Sequence, residues 1–161
     1  MSVSTNNKPS NTFTIILLTG LLTGTLDALG AIIWSHKIKA ASIFKYIASG
    51  AFGKEALDGG NNMVWWGIFF HFIIAFAFTA VFYLYYPKFL SVLKNKYLVA
   101  IVFGLITWLV TNLIIVPLSE IGWRPYHHVL PVLIGMTILI LAIGLPIVLI
   151  ADKQYSKRGK L

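Results

Sequence analysis

The sequence contains no cysteine. This absence excludes disulfide bonds, thiolate nucleophiles, and zinc or iron–sulfur sites that depend on cysteine ligands. Charged side chains are also scarce, since Asp, Glu, Lys and Arg make up 11% of the 161 residues, whereas a soluble domain carries about a quarter. So few charges cannot solvate a globular surface, and the sequence therefore predicts a chain whose surface faces a lipid bilayer.

Catalytic motifs are missing as well. The chain has neither an HExxH zinc motif nor a GxSxG nucleophile motif, and its segment GAFGKEA lacks the glycine spacing and the Ser or Thr of a phosphate-binding loop. His127 and His128 are adjacent, so on a helix they would point about 100° apart and could not easily bind one metal ion together. We therefore expect no enzyme activity, no cofactor and no metal site.

Long apolar stretches fill most of the chain, and each is long enough to cross a bilayer as a helix of about 20 residues. They cover residues 13–34, 63–86, 98–117 and 129–151. Residues 1–12 form a polar tail and residues 152–161 a basic tail. The sequence thus predicts an all-α integral membrane protein, built as a bundle of four transmembrane helices.

The connection between the first two spans is too long for a simple turn. Within residues 40–58, apolar side chains recur at near-helical spacing. This pattern predicts a short amphipathic helix that either lies at the membrane interface or re-enters the bundle. A surface connector without a further role is the plainer interpretation.

The basic residues indicate the orientation of the chain and explain its formal net charge of +8. One side of the membrane would carry Lys8, Lys88, Lys94, Lys96, Lys153, Lys157, Arg158 and Lys160, and the other Lys37, Lys39, Lys45, Lys54 and Arg124. The larger group belongs in the cytoplasm, which places both termini there. No basic recognition helix accompanies these charges, so nucleic acid is not an expected partner.

Three polar side chains fall well inside the spans. Counted from the span ends at about 1.5 Å per residue, Asp27, His71 and Asn112 all lie roughly 8–12 Å below the same, non-cytoplasmic face. Thr111 adjoins Asn112. Buried ionisable groups need a partner or a role in a membrane, so this layer either fixes the helices, relays protons or ions, or binds a small ligand.

Small residues predict which helix faces pack together. Residues without bulky side chains let helices approach closely, and we assign this packing role to Gly20, Gly24, Gly67, Gly104 and Gly135. The large rings of the second span are expected to face lipid or a partner instead; they belong to Phe69, Phe72, Phe76 and Phe82. Above the polar layer, a connecting loop is expected to cover the pocket with Glu120, Arg124, His127 and His128.

The chain resembles a group of small four-helix bacterial membrane proteins without an assigned activity. The resemblance covers about residues 15–150 and rests on the segments GLLTGTLDALGAII, KYIASGAFGKEAL, HFIIAFAFTAVFYL and TNLIIVPLSEI. The second half is also distantly similar to the YagU-like inner-membrane proteins. The resemblance implies a location in the bacterial inner membrane, and the YagU-like similarity implies an association with acid stress.

Two kinds of function fit these features. The first is a small transporter, a channel-like protein or a proton-handling protein that uses the layer of Asp27, His71 and Asn112. The second is a non-catalytic interaction or scaffold subunit, which packs its aromatic faces against another membrane protein or a second copy of itself. An enzyme acting on a lipid or quinone is the least favoured alternative.

Overall fold

The computed structural model describes residues 12–157 and 159, and within them the chain is all-α. Four of its helices are long and apolar enough to cross a membrane. We number six helices: α1 Thr12–Trp34, α2 Ala40–Phe52, α3 Glu55–Asp58, α4 Asn61–Leu93, α5 Lys96–Leu118 and α6 Val129–Lys157. The predicted fold class, a membrane bundle of four spans with an extra short helix after the first, is confirmed.

Two spans are longer than the apolar pattern indicates. Helix α4 continues past residue 86 to Leu93, and α6 continues past residue 151 to Lys157. Its 33 residues make α4 about 50 Å long, so it extends beyond a hydrocarbon core of about 30 Å. The start of the predicted basic tail is thus helical, whereas the predicted polar tail up to residue 11 and residues 158, 160 and 161 lie outside the described part.

A proline lies inside α4, directly after the predicted end of the second span. Pro87 has no backbone N–H, so it cannot donate the usual helical hydrogen bond to the carbonyl of Tyr83. The hydroxyl of Tyr155 on α6 donates to that carbonyl instead, at 3.0 Å. A neighbouring helix therefore supplies the donor that the proline lacks, which is how membrane helices tolerate proline.

An ionic contact joins three helices at the same end of the bundle. The carboxylate of Asp152 on α6 accepts from the hydroxyl of Tyr86 on α4 and from the ammonium of Lys96 on α5, both at 2.9 Å. By sequence, Asp152 belongs to the basic tail of residues 152–161 and has no predicted role. Here both carboxylate oxygens have a donor, so Asp152 is a structural residue of the bundle.

The main cluster of buried apolar side chains lies in the half of the bundle that contains the α4–α5 turn, which we call the packed half. It consists of Ile15, Phe82, Tyr83, Tyr86, Val99, Ala100, Phe103, Ile143, Ile147, Val148 and Ala151. Here α5 and α6 approach backbone to backbone, because a Cβ atom at Gly144 would overlap the Ala100 carbonyl and one at Gly104 would overlap the backbone of Ile140. The opposite half, which we call the hollow half, contains the cavities described below.

Each glycine assigned to packing lies against a neighbouring helix. Added Cβ atoms would meet the ring of Phe76 at Gly20, the ring of Phe72 at Gly24, the Phe44 backbone at Gly67, the Ile140 backbone at Gly104 and the Trp108 indole at Gly135. The expectation that the large rings of the second span avoid the bundle is therefore wrong for Phe72 and Phe76. It is also wrong for Phe82, which is fully buried, whereas Phe69 is 52% exposed. The glycines of α1 leave room for the rings of α4.

Helix α2 runs across the bundle instead of dipping into it. Its Phe44 ring lies 6.2 Å from His71 and its Phe52 ring 5.9 Å from Phe70, measured between centroids. The two α2 positions are about 12 Å apart along their helix, whereas their partners differ by one residue, about 1.5 Å, along α4. Helix α2 thus crosses α4 steeply and covers the hollow half.

Replacing Tyr155 by Phe should lower the free energy of unfolding by about 0.5–1.5 kcal/mol, because it removes a hydroxyl donor to the Tyr83 carbonyl. The same replacement in a Pro87→Ala background should cost much less, since alanine restores the backbone N–H that serves this carbonyl. Unfolding of the four proteins by SDS in mixed micelles measures both losses. Equal losses in the two backgrounds would contradict the link between Pro87 and Tyr155.

Candidate functional site

A cavity of about 410 Å³, which we call cavity 1, occupies the hollow half between α4 and α5. Helix α2 forms its roof through Tyr46, Ile47, Gly50 and Ala51, and α6 contributes Leu139 and Ile143. The residues of the predicted polar layer all line this cavity; they are Asp27, His71, Thr111 and Asn112. Four side chains from three different spans therefore converge on one space, as their depths in the membrane predict.

The remaining wall of cavity 1 is mostly apolar. Its further polar side chains are Tyr46, Thr107 and Ser119, and the rest of the lining comes mainly from Ile, Phe, Val and Leu. Among the lining residues, Asp27 is the single acidic group, and no lysine or arginine is present. A large apolar cavity with a few convergent polar groups is the usual form of a small-molecule site.

His71 is fixed to the first span by its side chain. Its Nε2 lies 2.8 Å from the carbonyl oxygen of Gly24. Because a carbonyl only accepts, Nε2 carries the hydrogen of this bond, and in the neutral form of the ring Nδ1 is then an acceptor. The imidazole also packs edge-on against the rings of Phe44 and Phe72. His71 thus joins α1 to α4, in keeping with the interpretation that the layer fixes the helices.

Asp27 lies about one turn beyond Gly24 on α1 and is partly buried. Its carboxyl group makes no hydrogen bond and no ion pair with any residue in the ranges 12–157 and 159. Asp27 therefore faces cavity 1 without a donor of its own, unlike Asp152 in the packed half.

A second cavity of about 290 Å³, cavity 2, lies on the other side of this wall, between α1, α5 and α6. Asp27 and Asn112 line both cavities, so these two residues form part of the partition. The amide of Asn112 donates to the Trp108 carbonyl at 3.0 Å and accepts from the Tyr126 hydroxyl at 3.0 Å. Tyr126 itself lines cavity 2, so a loop residue closes it against α5.

The polar layer does not form a continuous hydrogen-bonded chain. His71 bonds to the Gly24 backbone, and Asn112 bonds to Trp108 and Tyr126. In the described residues, no hydrogen bond joins Asp27, His71 and Asn112 to one another. A direct proton relay through these three side chains therefore has no assembled path in this structure.

The loop between α5 and α6 contacts the roof of cavity 1 through the backbone of Glu120 and the side chain of Arg124. The backbone N–H of Glu120 donates to the Gly50 carbonyl at 3.0 Å, and the Arg124 guanidinium lies 5.0 Å from the centre of the Tyr46 ring. The side chains of Glu120, Arg124, His127 and His128 are exposed and line neither cavity. Within the described ranges, no group of three His, Asp or Glu residues is placed to hold a metal ion.

Two π-helical turns, which the sequence pattern does not indicate, lie beside the cavities. Residues Thr111–Ile115 form the one in α5 and Ile140–Gly144 the one in α6. Thr111, Asn112 and Ile115 from the first turn line cavity 1, and so does Ile143 from the second. Such turns are frequent at functional sites. The sequence pattern also assigns no role to Tyr46 and Tyr126, because the pattern in α2 concerns its apolar positions and Tyr126 lies in a loop.

Tyr126 holds its loop in place through a bond that requires a protonated phenol. Partial burial, with a smaller effect of the nearby Tyr46, raises the pKa of Tyr126 above its ordinary value. A raised pKa in the folded state means that this stabilisation is complete below the ordinary tyrosine pKa of about 10 and is lost as the pH rises through the higher folded value. The bond to Asn112 is therefore present throughout the neutral range.

Replacing Tyr126 by Phe should release the loop of residues 119–128, because it removes the hydroxyl that donates to Asn112. Amide hydrogen exchange in this loop should accelerate about fivefold, which corresponds to the loss of ~1 kcal/mol. Tyr85→Phe is the matched control, since Tyr85 is 54% exposed on α4 and lines neither cavity. Unchanged exchange in Tyr126→Phe would show that the loop is held by its other contacts.

Comparison with family models, with curated proteins and with solved structures finds no match to this chain. The resemblance to small four-helix and YagU-like membrane proteins thus rests on the quoted segments alone. What the chain does has to be argued from the geometry of its cavities.

Proposed function

We propose that this chain is a small membrane carrier, which binds a small molecule in cavity 1 and moves it across the bilayer. The observation that supports this proposal is the convergence of Asp27, His71 and Asn112, from three spans, on one apolar cavity. Polar groups in a membrane interior are costly and mark ligand or ion pathways when they face a cavity. Binding sites near the middle of the bilayer, between helices, are the general arrangement in transporters.

The closed packed half favours a carrier over an open channel. Below the cavities, Phe82, Phe103 and Ile147 are almost completely buried and fill the space between α4, α5 and α6. A permanent aqueous pore would need a continuous path through this core. A ligand in cavity 1 would instead cross only when the packed half opens and the hollow half closes, as in alternating access.

The location and orientation belong to the same proposal. Counted along the sequence, the two tails and the connection of residues 87–97 together carry more basic residues than the other two loops, which supports cytoplasmic termini and a cavity that faces away from the cytoplasm. The family resemblance supports the bacterial inner membrane. The acid-stress association that the YagU-like similarity implies stays a prediction.

The alternative functions have weaker support from the contacts. A proton relay lacks direct bonds among the three polar side chains. A scaffold subunit would present the aromatic side of α4 to a partner, but Phe72 and Phe76 pack against glycines of α1, and Phe82 is buried in the core. Fewer rings therefore remain for an outside partner than the sequence pattern indicates.

Filling cavity 1 tests the carrier proposal. Ile115 lines the cavity, whereas Ile114, its neighbour on the same π-helical turn, is 51% exposed and lines neither cavity. Native mass spectrometry of the protein, extracted gently from its own membrane, should detect a bound small molecule in the unmodified chain and in Ile114→Trp. The Ile115→Trp variant should lose that molecule, because the indole occupies its space.

Two results would contradict this proposal. The first is a bound molecule that survives in Ile115→Trp, which would place it outside cavity 1. The second is a chain that carries no small molecule but is held by a second polypeptide, which would favour the scaffold function. Circular dichroism and size-exclusion profiles of the two tryptophan variants check that both retain the fold.

A further inference from the structure

We propose that the molecule bound in cavity 1 is a hydrophobic organic cation, whose charge lies beside Asp27 and whose apolar part fills the rest of the cavity. This inference rests on the proposed function, and it assigns the substrate class of the same site.

The charge of the cavity wall favours a cation. Asp27 is the only acidic residue of the lining, and no lysine or arginine lines the cavity to receive an anion. His71 cannot replace them as an anion site in its neutral form, since its one N–H is already donated to Gly24. The electrostatics of the lining thus select against phosphates, sulfonates and carboxylates.

The missing partner of Asp27 points in the same direction. In lipid surroundings an ionised carboxylate needs a counter-ion, and without one the group is stable only as the neutral acid. Among the residues that the structure describes, none donates to Asp27, whereas Asp152 has two donors. A cationic ligand would supply the counter-ion that the chain does not provide. Protonation of Asp27 would compete with binding of this cation.

The composition of the wall excludes a bare metal ion. Sodium, potassium or calcium would have to exchange their hydration shells for several oxygen ligands at close range; Ca²⁺, for example, takes six to eight. Cavity 1 is far larger than an ion, and its lining surface is mainly apolar. The side-chain oxygen of Asn112, one of the few oxygen atoms that could coordinate an ion, already accepts a hydrogen bond from the Tyr126 hydroxyl. A bulky ligand with one charge fits this space, and a small inorganic ion does not.

Aromatic rings complete the site for such a ligand. Tyr46, Phe70 and Phe78 line the same cavity as Asp27. Aromatic faces attract organic cations at about 0.5–2 kcal/mol each and also bury apolar groups. Tyr46 already attracts one cation on its ring, the guanidinium of Arg124 at 5.0 Å. The combination of one carboxylate with several rings is the chemistry that recognises hydrophobic ammonium and phosphonium compounds.

Two ions of nearly equal size and opposite charge test the assignment. Tetraphenylphosphonium and tetraphenylborate are titrated at pH 8, where an ordinary imidazole is neutral, into the full chain held in phosphatidylcholine nanodiscs. These headgroups carry no net charge, and empty nanodiscs measure partition into lipid. The cation should bind saturably to the unmodified chain, and the anion should show no binding beyond that of empty nanodiscs.

Variants locate the charge that is responsible. Affinity for the cation should fall about tenfold or more in Asp27→Asn, since one close charge contact is lost, and should be largely kept in Asp27→Glu. Asp58→Asn is the matched control, because Asp58 is exposed on α3 and lines neither cavity. Its substitution changes the net charge of the chain by the same amount as Asp27→Asn. The affinity of Asp58→Asn for the cation should not change.

Equal binding of both ions, no binding of the cation, or an unchanged affinity in Asp27→Asn would each overturn the assignment. The comparison of the two ions on the unmodified chain stands even where Asp27→Asn fails to fold. If Ile115→Trp still displaces the native molecule, failure of the cation overturns only the substrate class. If Ile115→Trp has no effect and neither ion binds, the carrier function falls as well.

Discussion

The close contact between α5 and α6 determines where this bundle is packed and where it is hollow. At Gly104 and Gly144 the two helices approach so closely that no Cβ atom fits at either position. Dispersion attraction between the helices is stronger at such a short distance. In lipid this attraction replaces the hydrophobic effect as the main source of helix association. The rings of Phe82 and Phe103, with centroids 4.0 Å apart, extend this contact to α4. Helices held so tightly at one end leave space at the other, and α2 covers that space.

The need to satisfy backbone groups in lipid explains the irregular parts of the spans. Pro87 interrupts the hydrogen bonds of α4, and the Tyr155 hydroxyl provides the donor that keeps the helix intact. The π-helical turns of α5 and α6 keep their backbone bonded within the helix but add a residue, which shifts the following side chains by about 100° around the axis. In α5 this turn includes Asn112 and Ile115, both of which line cavity 1. The π-helical turn therefore changes the direction of the side chains of α5 at the place where α5 borders cavity 1.

Much of this arrangement could be predicted from the sequence, because lipid imposes simple rules of length and polarity. The four spans, the extra helix and the layer of Asp27, His71 and Asn112 all follow from counting residues. These rules fail where a side chain of one helix satisfies or compensates a group of another helix. Pro87 is a valid stop signal in an isolated helix, and only Tyr155, from another helix, overrides it. Asp152 looks like part of a charged tail until Tyr86 and Lys96 are placed beside it. The orientation of Phe72 and Phe76 depends on the glycines of α1, which no pattern within α4 reveals.

The two acidic residues of the spans, Asp27 and Asp152, differ in whether the protein compensates their charge. Asp152 receives a hydroxyl and an ammonium from two other helices, so its charge is compensated within the protein and holds the packed half together. Asp27 has a similar setting between helices, yet in the described part of the chain no side chain donates to it, and it borders two cavities instead. Without a counter-ion, a carboxyl group in lipid is stable as the neutral acid, and its ionised form needs a positive charge from outside the chain. The same difference explains why the cavity end, and not the ionic contact, is where a ligand would change the energy of the bundle. Binding at Asp27 would stabilise the hollow half, and its release would favour the alternative in which that half closes.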